Sequence, residues 1–133
     1  MHNSGCGLPE GGGKMARLEQ IADREAAKNI EDITKCFVDQ LSPLKIYLFG
    51  SFADGSYTDG SDYDFYIVVN DQSDTQETRR RARRAIRYVQ NRPVDIVVGT
   101  NSRFEKYGSS ADTLYVEGEV FKKGRLLYDK AVV

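Results

Sequence analysis

The chain has 133 residues, 40% of them hydrophobic and 29% charged, with a formal net charge of -1. That is enough for one globular domain with a modest core and little more. The near-neutral balance supplies no whole-chain field to gather nucleic acid or a membrane surface, no apolar run reaches the length of a bilayer span, and the lone histidine, His2, argues against His-based catalysis or a zinc site.

Residues 1–14 are Gly-rich and without periodicity. They read as a disordered leader ahead of a single domain over 15–133, with Met15 offering an alternative start. No apolar signal core is present, so the expected compartment is the cytoplasm. Cys6 and Cys36 form no metal or redox spacing and are expected as reduced thiols, Cys36 as helix packing. Over 16–40, Leu18, Ile21, Ala22, Ile30, Ile33, Phe37 and Val38 fall mainly on one stripe, which predicts a helix. Ser42-Pro43 ends it, and 44–49 form a first strand.

That strand closes on Gly50-Ser51. Gly50 lets backbone approach a ligand without a Cβ in the way. Ser51 is placed to cap a short helix over 52–54, whose free N–H groups suit a phosphate. A small-residue loop then leads to a second strand opening with Asp62-Tyr63-Asp64. Residues two apart in a strand share a face, so Asp62 and Asp64 point the same way. Paired carboxylates repel unless a cation lies between them, and a hard divalent ion, Mg²⁺ above all, is the natural partner. Gly, Ser and Asp are also ordinary turn residues, and alone the loop favours a plain hairpin. The strand-borne acids shift that balance.

Further on, a helix is predicted over 75–90. Ala82, Ala85, Ile86 and Val89 make its packed stripe. Arg79, Arg80, Arg81, Arg83, Arg84 and Arg87 form either a solvated face or a dock for something acidic. A third strand over 94–99 carries Asp95 inside an apolar β-branched run, where a lone acid is costly without a partner. Thr100-Asn101-Ser102 cap a short helix over 103–107. A further helix is expected over 111–123, with Leu114, Tyr115, Val120 and Phe121 as inner positions, ended by Gly124 before a last short strand over 125–128. The order helix, strand, strand, helix, strand, helices implies an α+β domain: a small mixed sheet with helices packed against it.

The string Gly50-Ser51-x-Ala53-x-Gly55-x5-Ser61-Asp62-x-Asp64 resembles the signature of the minimal nucleotidyltransferases, small members of the DNA polymerase β-type nucleotidyltransferase superfamily. The resemblance covers roughly 44–129 and implies the palm-like fold of that superfamily. It implies a triad of Asp62, Asp64 and Asp95 as catalytic and metal-binding residues, with two Mg²⁺ ions. Gly50, Ser51 and Ser61 would then bind the nucleotide. The implied reaction moves a nucleoside monophosphate, AMP from ATP foremost, onto a hydroxyl. The tail from Phe104-Glu105-Lys106-Tyr107 to Leu127-Tyr128 is similar to members encoded beside a helical partner of the HEPN type. This implies an antitoxin-like enzyme that modifies a partner protein. A small-molecule acceptor such as an aminoglycoside and a non-catalytic module binding through the Arg-rich helix stand as alternatives. Nucleic acid is left open as a partner, and no membrane is expected.

Rival motifs lack their residues. An EF-hand starting at Asp54 would need Gly at position 59 and an acid at 65, where Asp59 and Phe65 stand. No Gly-Lys-Ser/Thr is present, Gly5-x-Gly7 follows no strand, and Ser51 has no histidine to activate it.

Overall fold

The computed structural model describes residues 14–15, 18–109 and 114–131. Most of the predicted leader, and residues 111–113 of the predicted fifth helix, lie outside these. The elements run β1 (Lys14–Met15), α1 (Arg24–Leu41), β2 (Lys45–Phe49), α2 (Ser51–Asp54), β3 (Tyr63–Val69), α3 (Thr75–Ile86), β4 (Val94–Thr100), α4 (Asn101–Gly108), α5 (Val116–Lys123) and β5 (Arg125–Asp129). Among the described residues the strands form one mixed sheet in the order β1-β5-β2-β3-β4. β3 and β4 run parallel, joined through α3, and the other pairings are antiparallel.

The α1 helix begins later than its apolar stripe. Asp23 accepts from the Ala26 N–H at 3.0 Å and fixes the start at Arg24. Leu18 and Ile21 still enter the core, but as a turn closed by the Ile21 N–H on the Leu18 carbonyl at 3.3 Å. At the other end Ser42 takes a left-handed conformation, φ 48°, and Pro43 follows. Cys36, expected as helix packing, is fully buried in α1.

The sheet separates two clusters by strand parity. One face packs under α1 and α3, where Ile30, Ile33, Phe37, Ile46, Leu48, Phe65, Ile67 and Ile96 are closed off from solvent. Phe37 meets Phe65 edge-on at 5.3 Å between ring centroids. The opposite face lies under α4 and α5 and holds Phe49, Tyr66, Val68, Phe104 and Val120. Leu114 and Phe121, expected inside, are 85% and 56% exposed. Glu117 and Gly118 take the inner positions of α5 instead. A helical stripe read from hydrophobicity alone passes over them.

Candidate active site

Asp64, the second residue of β3, pairs with Phe49 of β2 on one side and with Asp95 of β4 on the other. Cα partners in a ladder place their side chains on one face, with neighbouring strands about 4.8 Å apart. Tyr63 and Phe65 lie in the α1/α3 cluster, while Tyr66 and Val68 lie in the α4/α5 cluster. Asp64 therefore belongs to the α4/α5 face. Val94 and Ile96 flank Asp95 and pack under α1 and α3, which puts Asp95 on that same α4/α5 face. Asp62 shares the parity of Asp64, one residue ahead of the strand.

The electrostatics of Asp64 register this crowding. Partial burial, then the charges of Asp95, Asp62 and Glu119, push its carboxyl up to about 6. Two acids from the β3 and β4 ends and one from α5 thus act on a single half-buried group. Glu119 was not a sequence candidate. Only the packing of α5 over the sheet brings it there, and no local spacing announces it.

The Gly50 corner is fitted to Asp64. Gly50 has φ 74°, and a Cβ built on it would overlap Asp64 Oδ2. Any side chain at position 50 would thus be strained and would displace the carboxylate. Gly50 itself holds the N-cap position of α2, and Ser51 is the first helical residue rather than the cap. Ala53 and Asp54 N–H groups both reach the Gly50 carbonyl, at 3.0 and 3.1 Å. Ser61 is half-buried, and its hydroxyl accepts from the Thr58 N–H at 2.8 Å. Its side chain therefore closes the loop ahead of Asp62.

Arg92, also missed in the sequence, ties this loop to both strands. It donates from Nη1 to the carbonyls of Ser61 and Asp59, at 3.0 and 3.3 Å. Its guanidinium lies 5.0 Å from the Phe52 ring centroid and 5.4 Å from that of Tyr63. Phe52 in turn stacks on Tyr57 at 4.3 Å, and the Tyr63 N–H meets the Pro93 carbonyl at 3.1 Å. Planar guanidinium between aromatic faces is a geometry that lysine would not reproduce. The loop carrying Asp62, the α2 corner and the start of β4 are held as one unit.

Beneath the carboxylates lies a buried polar pair. Tyr66 Oη donates to Glu117 Oε2 at 2.6 Å, and Arg103 Nε donates to the same oxygen at 2.9 Å. Burial alone would raise the Glu117 carboxyl; the Tyr66 and Arg103 hydrogen bonds outweigh it and hold the group below its ordinary value. Gly99 makes room for this contact, since a Cβ there would overlap Tyr66 Oη. Beside the corner, a cleft of about 360 Å³ is lined by Asp54, Gly118, Glu119, Lys122 and Lys123.

Hard carboxylate oxygens on one face, one carboxyl raised first by burial and then by its acidic neighbours, are the donor type that Mg²⁺ takes. As the side chains stand, the described residues include no group of three or more His, Cys, Asp or Glu close enough together to hold a metal ion. Asp62 and Asp95 are exposed, so both side chains have room to turn toward Asp64. The set fits a hard divalent cation in chemistry and in face.

Of the five arginines in α3, four have hydrogen bonds or ion pairs within the chain, and Arg87 at its C-cap lies over the Tyr88 ring. Arg79 donates to the Ile96 carbonyl at 2.9 Å and Arg81 to the Gln40 carbonyl at 2.7 Å. Arg80 and Arg84 pair with Glu77, at 2.9 and 3.8 Å. No helix among the described residues is long and apolar enough to cross a membrane.

Comparison with known proteins agrees with this geometry. The family model described as "Polymerase beta, Nucleotidyltransferase" matches residues 31–131. A search of curated proteins returns no match. Among solved structures, a Sulfolobus solfataricus protein provisionally called a nucleotidyltransferase superposes with a TM-score of 0.50 at 20% identity, over 85% of this chain and 87% of the other. A toxin-antitoxin structure with AMP-PNP superposes with a TM-score of 0.51 at 24% identity, over 77% and 74% of the respective chains. At these identities the two structures speak for the fold.

Proposed function

Because the chain belongs to the polymerase beta nucleotidyltransferase family and is a nucleotidyltransferase, we propose that it transfers AMP from ATP to a hydroxyl of a partner protein, in the manner of an antitoxin. The observation that carries this reading is the row of Asp64 and Asp95 on one sheet face, with Asp62 beside them and the Gly50-Ser51 corner against Asp64. In the proposed step the acceptor oxygen bonds to the α-phosphorus. The bond from that phosphorus to the oxygen bridging to the β-phosphate breaks, pyrophosphate leaves, and the hydroxyl proton passes to Asp95 or to water. Asp62, Asp64 and Asp95 would hold two Mg²⁺ ions, which when bound supply charge neutralisation for the triphosphate and acidify the hydroxyl. Gly50 keeps the backbone clear for the phosphates. Ser51 and the N–H groups at the start of α2 are placed to bind them, and Ser61 acts by shaping the loop.

The toxin-antitoxin neighbour holds AMP-PNP, which supports ATP as donor and a protein as acceptor. A HEPN-type helical partner and a cytoplasmic setting, where ATP is abundant, complete the proposal. A polycationic small-molecule acceptor such as an aminoglycoside would draw on Asp54 and Glu119 of the 360 Å³ cleft, but Lys122 and Lys123 line the same cleft and oppose it.

The test is incubation of the chain and a co-expressed helical partner with Mg²⁺ and ATP labelled at either the α- or the γ-phosphate. Label from the α-position on a hydroxyl-bearing residue of the partner, with an AMP mass increment and none from the γ-position, is the expected result. Transfer of the γ-label instead would make the protein a kinase and defeat the proposal.

A further inference from the structure

The order of the sheet leaves one side of β4 without a strand partner among the described residues. Along that side run two adjoining cavities. One, of about 320 Å³, lies between Gln76 and Arg79 of α3 and the Asp95 to Val98 stretch of β4. The other, of about 200 Å³, is lined by Gln76, Arg79, Arg80 and Arg83. Gln76 and Arg79 line both, so the two form one groove. At one end is Asp95, the proposed acceptor-side acid. Its α3 wall carries three guanidiniums, those of Arg79, Arg80 and Arg83.

From this we infer that the groove is the acceptor site, and that it takes an extended, acidic segment of a polypeptide. This deepens the transferase reading above and rests on it for the role of Asp95. Two features select the occupant. An open strand edge presents main-chain N–H and C=O groups, which another polypeptide backbone can pair with by strand addition and a sugar–phosphate backbone cannot. Arg79 covers one of these groups, the Ile96 carbonyl, and in doing so is fixed across the groove rather than swinging in solvent. The second feature is charge. The whole chain has a pI near 5.9, without the basic field that nucleic-acid binders use, whereas the α3 wall of the groove sets Arg79, Arg80 and Arg83 against one acid, Glu77, which pairs with Arg80, and is locally positive beside an acidic centre. A polypeptide with its hydroxyl residue at Asp95 would place carboxylates against Arg80 and Arg83. The same acids would be repelled from Asp62, Asp64 and Asp95, which sets the direction in which the segment lies.

The experiment is fluorescence anisotropy with three labelled probes: a short peptide with a central Tyr and a run of Glu on one side, the same peptide with Lys for Glu, and a single-stranded RNA of similar length. Wild-type protein is compared with the double variant Arg80→Glu and Arg83→Glu. Both arginines are exposed, and circular dichroism verifies that the variant folds. The expected result is binding of the Glu peptide that weakens at least about tenfold in the variant and falls with salt, with the Lys peptide bound least. Equal binding by wild type and variant, or no preference for Glu over Lys, overturns the inference. Tighter binding of the RNA, lost in the same variant, overturns it in favour of nucleic acid. A Mg²⁺-ATP thermal shift on the wild-type protein separates the two readings. If that shift is absent while arginine-dependent peptide binding persists, the transferase reading and the acceptor role fail, and the groove stands as a peptide-binding site alone.

Discussion

Under α1 and α3, the sheet shows Tyr63, Phe65, Ile67 and Val69, all closed to solvent and apolar apart from the Tyr63 hydroxyl, which meets Asn91 at 2.9 Å. Under α4 and α5, the alternate residues of the same strand are Asp64, Tyr66 and Val68, with a raised carboxyl, a buried hydroxyl and Glu117 against it. The first face buries area and asks for close packing. The second spends burial on polar groups that would be cheaper in water. One seven-residue strand thus presents an apolar set at its odd positions and, at its even ones, the polar set that the proposal assigns to chemistry. The two faces should respond oppositely to substitution, and the following experiments press on that difference.

The largest separation is expected at Asp64. Asp64→Asn should lower nucleotidyl transfer by about three powers of ten or more, measured with α-labelled ATP, while the urea unfolding midpoint stays at or above that of the wild type. On the opposite face, Phe65→Ala should cost about 3–5 kcal/mol in urea unfolding, since Phe65 is fully buried against Phe37. Transfer per folded molecule should change little. A Phe65 variant that unfolds normally but loses activity would erase the division between faces.

A smaller effect probes the polar face itself. Glu117→Ala leaves the Tyr66 hydroxyl buried without its acceptor and should cost about 1–3 kcal/mol. Because Glu117 is held below its ordinary value, its contribution is present above the unfolded-state value of about 4.5 and fades as pH falls through the folded one. The variant's deficit, by thermal melts, should shrink in acid.

The smallest effect has the opposite sign. Asp64 titrates at about 6 in the folded ligand-free chain against an ordinary 3.8, so the folded state binds the extra proton between those values. Its contribution is most favourable below about pH 4 and is lost as pH rises through about 6. The melting temperature of wild type minus that of Asp64→Asn should fall by a few degrees over that window. A rise would contradict the crowding of carboxylates at this corner.

The division between faces was half legible in the sequence. Alternation along β3 put Asp62 and Asp64 on one face, because strand parity is local and survives folding; Asp95 joined them only through the family resemblance, since the register of β4 on β3 that sets its face is not local. The Gly-Ser corner was legible because backbone approach restricts residue type. The start of α1 was not: Leu18 and Ile21 continue its apolar pattern, and only the competing Asp23 cap ends it. Glu117, Glu119 and Arg92 were illegible for another reason. An acid on a short helix and an arginine before a Pro look like surface residues until tertiary packing brings the Asp64 carboxyl, the Tyr66 hydroxyl and the Phe52 ring beside them. The α3 arginines were visible but their division was not: Arg79 and Arg81 bond to backbone carbonyls, and Arg83 lines the groove.

The claim on which the rest depends is that acids from β3 and β4 act on one cation. Mn²⁺ binding followed by electron paramagnetic resonance tests it without an acceptor or an assay of turnover. Wild-type protein with ATP should bind Mn²⁺, and Asp64→Asn and Asp95→Asn should each weaken that binding at least about tenfold. Unchanged Mn²⁺ binding by a folded Asp95→Asn variant would contradict the account.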